Sequence, residues 1–206
     1  MVPDEPVRTA TERTVGGRLA RLVTEVLAPG VLVTAMPLVV AAQVSHDPWD
    51  FLAWGGTALL FCAVIPVGVI VHGVRRGRLS DRHVGDRTQR ARPLLTGLAS
   101  VAVGMVLLAV LRAPAELFAM IVVIFVVGAA CTLVNHWWKL SIHAAVAAAS
   151  TAVLVLLFGP ALHVGWLLVT TVAWSRVELR DHTWPQVVAG TVAGVPLAAG
   201  TFLALT

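Results

Sequence analysis

Charged residues are scarce in this sequence, and their scarcity excludes an ordinary soluble domain. Of the 206 residues, 13% are charged and 58% are hydrophobic, whereas about one quarter of the residues in soluble domains are charged. Several apolar runs reach the ~20 residues that a helix needs to cross ~30 Å of hydrocarbon. The sequence therefore predicts an all-α, polytopic transmembrane helical bundle and leaves too few residues for a sizeable soluble domain.

Cysteine and lysine are also nearly absent. Cys62 and Cys131 both lie inside apolar runs; we interpret them as small hydrophobic residues that say little about redox compartment. Lys139 is the single lysine, so the formal net charge of +4 comes almost entirely from arginine. The first 21 residues contain no short apolar core followed by a small-residue cleavage site, so we expect no cleavable signal peptide.

The order of polar and apolar segments predicts two parts, a polar N-terminal tail (1–21) and one transmembrane domain (22–206). The short fifth and sixth apolar runs leave the expected total at six or seven spans. The expected spans are 22–44, 51–74, 94–111, 114 or 115 to 134, 142–158, 160–174 and 187–205.

Three polar breaks interrupt these runs, and they follow the second, fourth and sixth spans. They are Arg75–Pro93, Asn135–Ser141 and the segment 175–186. All three therefore fall on the side of the N-terminus, together with fourteen of the fifteen Lys/Arg residues. By the positive-inside rule this face is cytoplasmic. We expect a multi-pass protein of the plasma membrane with its active site on that face.

The third break has the composition of an anion site. Arg176, Arg180, Asp181 and His182 lie within seven residues at the expected edge of the bilayer. Cationic groups flanking a histidine suggest a phosphate held beside a nucleophile or a proton carrier. The alternative is that these are ordinary interfacial residues solvated by lipid headgroups. This alternative is less favoured because three such breaks share one face.

The spacing in this break resembles the third signature of the type-2 phosphatidic acid phosphatase superfamily, which includes lipid phosphate phosphatases and vanadium haloperoxidases. That signature is Ser-Arg, five residues, His, three residues, Asp. Ser175, Arg176 and His182 match it, and Gln186 stands in the place of the Asp.

The other two signatures of this superfamily are partly present. Leu140-Ser141-Ile142-His143 is similar to the second, Pro-Ser-Gly-His. Arg92-Pro93 fits the end of the first, but Gly85 occupies its lysine position, where Arg87, Arg90 or Lys139 could supply the cation instead.

The resemblance implies a role for each matched residue. His182 would be the nucleophile that forms a phosphohistidine, and His143 would protonate the leaving oxygen. Phosphate-binding residues would be Arg92, Lys139, Ser141 and Arg176, with Arg87 and Arg90 as further candidates. Convergent cations can stabilise phosphoryl transfer, so we expect neither a metal nor another cofactor.

Gln186 departs from the pattern and has two interpretations. Thr183-x-x-Gln186 is a capping-box pattern that would open the last helix. Gln186 would also lie one turn beyond His182, where its amide oxygen could orient the imidazole. An amide cannot stabilise an imidazolium by charge, so we expect slower turnover or a shifted pH optimum.

Together these patterns predict an integral-membrane phosphatase for a prenyl or polyprenyl (di)phosphate or a phospholipid phosphate. The alternative is a non-catalytic lipid-phosphate binder or transporter on the same scaffold. A third possibility, a prenyltransferase using a divalent ion at Asp81 and Asp86, is disfavoured because the repeated Asp-rich pairs are missing. The expected partners are the lipid phosphate and the bilayer, without nucleic acid; the oligomeric state does not follow from the sequence.

Overall fold

The computed structural model describes residues 14–77 and 87–206, and the side chains of all of these except 87–92. Within these ranges the chain forms helices joined by short turns and loops, without strands, as predicted. The helices are α1 (Val15–Val26), α2 (Pro29–Val44), α3 (Pro48–Arg75), α4 (Arg87–Val110), α5 (Ala115–Trp137), α6 (Ile142–Phe158), α7 (Gly165–Glu178) and α8 (Trp184–Leu205). A 3-10 turn, Pro160–Val164, leads into α7.

Four helices of the described chain are long and apolar enough to cross a membrane: α3, the Pro93–Val110 part of α4, α5 and α8. The α1–α2 pair, bent by 44°, gives a fifth candidate if it counts as one span. α6 is apolar but has only 17 residues. Length and composition thus support a polytopic bundle with four or five spans, and they do not confirm six or seven.

α6 packs against four other helices, and most of its residues from Ala144 to Val153 are buried. Its first two thirds consist mainly of alanine, which allows α2, α5, α7 and α8 to pack around it. On α8, Gly190 and Gly194 face the backbone of α6, where an added Cβ would overlap the carbonyl oxygens of Ser141 and Ala145. The Gly-x-x-x-Gly spacing of these two residues therefore serves close packing between α8 and α6.

α3 contains two π-helical segments, Phe51–Gly55 and Leu60–Val64. A π turn shifts backbone carbonyls out of the regular α-helical ladder. Here the carbonyl of Phe61 accepts a hydrogen bond from Ser100 Oγ on α4 at 2.7 Å. Gly104 leaves room for the Phe61 ring, because a Cβ there would lie 2.7 Å from Phe61 Cβ. The second π segment therefore packs closely against α4.

Contacts between turns show where the second and third polar breaks and the Arg112 turn lie in the bundle. Trp54 Nε1 donates to the Leu111 carbonyl at 3.3 Å, which joins the start of α3 to the turn that carries Arg112. At the other end, Ser141 N donates to the Gln186 carbonyl at 3.2 Å. The second and third breaks are therefore adjacent, and α1 packs against α7 at the same end.

Several helices extend beyond the expected spans by about one helical turn or more. α1 begins at Val15 rather than at residue 22, with the Thr14 hydroxyl accepting from Gly17 N, and it ends before the break at Leu27 and Ala28. α4, α7 and α8 likewise include polar residues that were assigned to the breaks. A helix satisfies its own backbone in water as well as in lipid, so hydropathy marks the membrane edge and not the helix end.

Candidate functional site

A cavity of about 920 Å³ opens where α1, the end of α7 and the loops before α6 and α8 meet. Both polar breaks within the described chain contribute to its wall. The polar residues at its mouth are Arg21, Thr24, Glu25, Lys139, His143, Arg176, Asp181 and His182. His143 and His182 therefore both line this cavity at one end of the bundle.

The end of α7 positions His182. Arg180 has a positive φ of 58°, the left-handed conformation that commonly terminates helices. This turn lets the carbonyl of Arg176 accept from the backbone N–H groups of both Asp181 and His182, each at 3.1 Å. The chain thereby folds back over the last turn of α7, and the His182 ring lies beside the Arg176 side chain.

Gln186 orients the His182 ring as predicted. Its Oε1 lies 3.1 Å from His182 Nδ1 and also accepts from the backbone N–H of Thr183 at 3.2 Å. Because an amide oxygen can only accept, Nδ1 carries the proton and Nε2 keeps its lone pair. The Thr183 bond belongs to the expected capping box at the start of α8. Gln186 therefore takes part in the capping box and contacts the imidazole of His182 at the same time.

The surroundings of His182 keep its imidazole neutral. Burial lowers the pKa of His182 to about 4, and the positive charges of Arg176 and Lys139 contribute to the lowering. The hydrogen bond to Gln186 and the carboxylate of Asp181 act in the opposite direction but are outweighed. At neutral pH the ring is therefore unprotonated and Nε2 can act as a nucleophile.

Arg176 is held by groups from α1 and from the loop that follows α7. Its Nη2 forms an ion pair with Asp181 Oδ2 at 2.9 Å, and its Nη1 donates to Thr24 Oγ1 of α1 at 3.4 Å. Ser175 Oγ lies 3.1 Å from Thr24 Oγ1 and donates to the Val172 carbonyl at 2.8 Å. Since the Ser175 proton is used there, the Thr24 hydroxyl accepts from Arg176 and donates to Ser175.

Lys139 reaches from the second break to the third. Its Nζ donates to the backbone carbonyl of Asp181, although Lys139 is an exposed residue. The loop that carries it is anchored to α5, because Asn135 Oδ1 accepts from Leu140 N at 3.1 Å and Asn135 Nδ2 donates to the Cys131 carbonyl at 2.8 Å. Lys139 therefore bridges the two breaks.

Ser141 does not lie where the resemblance implied. It is fully buried and does not line the cavity. Its Oγ accepts from Ala144 N at 3.4 Å, which makes it the N-cap of α6. The expectation that Ser141 holds phosphate oxygens is corrected to a capping and helix-docking role, because its backbone is pressed against α8.

The first signature cannot be placed at side-chain level. Pro93 lines the cavity, but the side chains of Arg87, Arg90 and Arg92 lie outside the described residues. The same holds for Asp81 and Asp86, the residues of the divalent-ion alternative. Pro93 shows that the start of α4 borders the site.

Sequence reasoning missed the contribution of α1. Arg21, at the end of the expected tail, and Thr24 and Glu25, at the start of the expected first span, line the cavity but were not assigned to the site. A signal was present: Gly17, Ala20 and Thr24 follow helical spacing, and these small residues are buried. Their face packs against α7, which brings the neighbouring Arg21 and Glu25 to the cavity.

No protein-family model, curated protein or solved structure matches this chain. The resemblance to the phosphatidic acid phosphatase superfamily therefore rests on the signature residues alone and remains a prediction.

Proposed function

We propose that the chain is an integral-membrane phosphatase that hydrolyses a lipid-linked phosphate or diphosphate through a phosphohistidine at His182. The observation that carries this proposal is the neutral His182 ring, held by Gln186 at Nδ1 beside Arg176 and Lys139, in a cavity shared with His143. A positioned nucleophile, a second histidine and adjacent cations are the parts that phosphoryl transfer needs.

In the proposed first step, His182 Nε2 attacks phosphorus and the P–O bond to the lipid oxygen breaks. His143 donates a proton to the leaving oxygen, so the lipid leaves as an alcohol or a monophosphate. In the second step a water attacks phosphorus, the P–N bond breaks, and His143 takes the proton from that water. Inorganic phosphate leaves, and both histidines return to their starting states.

Charge at the mouth supports anion binding in this proposal. Arg21, Lys139 and Arg176 carry positive charge among the described lining residues, against the carboxylates of Glu25 and Asp181. Positive groups fixed around the equatorial oxygens stabilise the charge of the transition state. The reaction as proposed needs no metal, because the side-chain cations supply this charge.

We further propose six or seven membrane crossings, with the cavity mouth at the cytoplasmic face of the plasma membrane. In the seven-crossing arrangement, α6 and the segment 160–178 cross as a short antiparallel pair, and α1–α2 count as one bent crossing. Exposed tryptophans at both ends support these interfaces, Trp137 and Trp184 at the mouth and Trp49 opposite. Seven crossings predict that reporters fused at the two termini lie on opposite sides of the membrane.

The test is phosphate release by purified protein from farnesyl diphosphate and from phosphatidic acid. We expect His182→Ala to lose at least about 10³-fold in kcat and Arg176→Ala about 10²- to 10³-fold. His46→Ala, in the exposed turn at the opposite end, is the matched control and should retain full activity. Full activity in both site variants would reject the mechanism.

Two observations favour a second candidate, a non-catalytic lipid-phosphate binder. Asp181 already occupies Arg176, and Gln186 offers no charge to an imidazolium. Such a protein would bind vanadate or a prenyl phosphate at the same site. It would release no phosphate over hours, and it would form no acid-labile phosphohistidine when incubated with radiolabelled substrate.

A further inference from the structure

Below its charged mouth, the cavity continues into the bundle between walls that are almost entirely apolar. The wall is formed by residues of α2, α3, α4, α5 and α6. At its inner end are Cys62, Val101 and Met120, which are at most 5% exposed. A phosphate alone would use only the mouth, so the remaining volume needs an apolar occupant.

The length of this apolar part follows from helix geometry. On α5, cavity-lining residues run from Thr132 to Met120. At 1.5 Å per residue this stretch covers about 18 Å along the helix axis. On α6, the lining residues run from His143 to Ser150, so the reactive end and the apolar end belong to one continuous space. An extended hydrocarbon chain matches this shape.

Small residues and the distorted helix create the space. Gly97 on α4 lines the cavity, and a Cβ there would meet only Pro66 Cβ, at 3.9 Å. A larger side chain at position 97 would therefore grow into the cavity without overlapping a backbone. Cys62, at the inner end, belongs to the second π segment of α3, so the same irregular backbone that packs against α4 also shapes this end.

The cavity opens towards the lipid side between α2 and the second half of α3. Gly30 and Val31 of α2 and Val67 of α3 line the cavity and are exposed. The main contacts of α2 with α3 lie in the segment 51–64, whereas Ile65–Arg75 packs against α4. α2 and α3 therefore contact each other far from the mouth of the cavity and are separated next to the mouth.

We propose that this apolar space binds one hydrocarbon chain, so that the ligand is a single-chain lipid phosphate that enters between α2 and α3. That the ligand carries a phosphate rests on the proposed function. That the apolar space binds a hydrocarbon chain does not depend on it. Lipid tails are as apolar as the cavity wall, so enclosing a chain gains little from the hydrophobic effect. Enclosing the chain instead fixes the position of the phosphate beside His182. A prenyl phosphate and a monoacyl glycerol phosphate both have this chemistry.

The first experiment measures chain binding without any phosphate. Farnesol is added to purified protein in detergent, and the midpoint of thermal unfolding is followed. We expect a rise of a few degrees for the wild type and for Gly200→Leu, at a position where an added Cβ would meet nothing within 4 Å, and none for Gly97→Leu. An equal rise in Gly97→Leu overturns the proposal, whether or not the protein proves to be a phosphatase.

A surface variant keeps the test valid if Gly97→Leu does not fold. Val67→Trp narrows the opening at an exposed position, and Val192→Trp on α8 is its matched control at similar exposure. We expect Val67→Trp to weaken farnesol binding at least about tenfold and Val192→Trp to leave it unchanged. Equal binding by both variants contradicts entry between α2 and α3.

The second experiment separates single-chain from two-chain lipids. Farnesyl phosphate, lysophosphatidic acid and phosphatidic acid are compared by how well each displaces bound vanadate from the protein. We expect the two single-chain compounds to compete at least about tenfold better than phosphatidic acid, and Gly97→Leu to remove that preference. A short phosphate ester without a hydrocarbon chain should bind equally to the wild type and to Gly97→Leu. Preference for phosphatidic acid overturns the single-chain assignment.

Discussion

Arg176 and Asp181 form an ion pair across the end of α7, with 2.9 Å between Nη2 and Oδ2. The carboxylate takes the place at the guanidinium that a bound phosphate would need. Arg176 is largely buried whereas Asp181 is about half exposed, with side-chain exposures of 12% and 47%. An incoming anion therefore has to displace Asp181 rather than Arg176.

We predict that Asp181→Asn increases the affinity of the cavity for anions. Removing the competing carboxylate leaves Arg176 in place, and Lys139 keeps its bond because it contacts the backbone carbonyl of residue 181. Inhibition or binding by vanadate should improve by about tenfold, in line with the loss of one partly exposed charge contact. An unchanged dissociation constant would show that the ion pair does not obstruct the site.

The pKa of His182 is a second prediction. Burial and neighbouring cations lower it to about 4, so the ring should stay neutral until the solution is well below pH 6. Removal of one positive neighbour in Lys139→Met should raise this pKa, whereas Lys139→Arg should keep it low. Nuclear magnetic resonance titration of labelled imidazoles, with His182→Ala to assign the signal, measures the midpoint. A midpoint near 6.5 in the wild type would contradict the described environment.

Replacing the amide at position 186 with a carboxylate should raise the rate. Gln186→Asp places a negative charge near Nδ1, which stabilises the imidazolium character of the phosphorylated ring and raises the pKa of His182. Phosphate release should rise at least about tenfold, and the acid limb of the pH profile should move to higher pH. Gln43→Asp, on the exposed part of α2, controls for the added charge. No gain in rate would argue against a nucleophilic His182.

Thr24 links α1 to the site, so Thr24→Val should lower the stability of the protein and weaken its binding of vanadate. The variant keeps the side-chain shape but removes a buried hydroxyl that bonds Ser175 and Arg176. We expect a loss of about 1–2 kcal/mol in the free energy of unfolding, together with weaker vanadate binding. Thr34→Val on α2, where the hydroxyl bonds only the Gly30 carbonyl, is the control and should leave vanadate binding unchanged.

Close packing of α6 and α8 makes Gly194→Ala destabilising. The added methyl would overlap the Ala145 carbonyl, and neither backbone can move without shifting Gln186 and Ser141. We expect a loss of about 2 kcal/mol in the free energy of unfolding, typical of overpacking. Gly200→Ala, which adds a methyl where nothing lies within 4 Å, should leave stability unchanged. Equal stability of both variants would contradict the interhelical contact.

The candidate site could be predicted in part because helices alternate direction across a bundle. That alternation alone places the second and third breaks at one end, as the Ser141–Gln186 backbone bond confirms. The spacing of His182 and Gln186 likewise predicts a contact, since residues four apart lie on one face at a helix start. These are local or parity arguments, and they need no knowledge of tertiary packing.

The role of Ser141 and the place of α1 could not be predicted in this way. Whether Ser141 faces the cavity or α8 depends on the rotation of α6, which is set by the glycines of α8 rather than by nearby sequence. The docking of α1 depends on the fit of Gly17, Ala20 and Thr24 against α7. Both are consequences of tertiary packing, which overrides local patterns.

The contact between Thr24 and Ser175 spans 151 positions of the chain, and this has a consequence for biogenesis. α1 is made early, but its partner α7 is made near the end of synthesis. Until then the face of α1 that carries its small residues has no helix to pack against. The helix also has an apolar side suited to the membrane surface, formed by residues that are exposed in the finished protein: Val15, Leu19, Leu22 and Val26. Assembly of the cavity mouth is therefore among the last events in folding, and a ribosome that stalls before α7 would leave an inserted protein without a site.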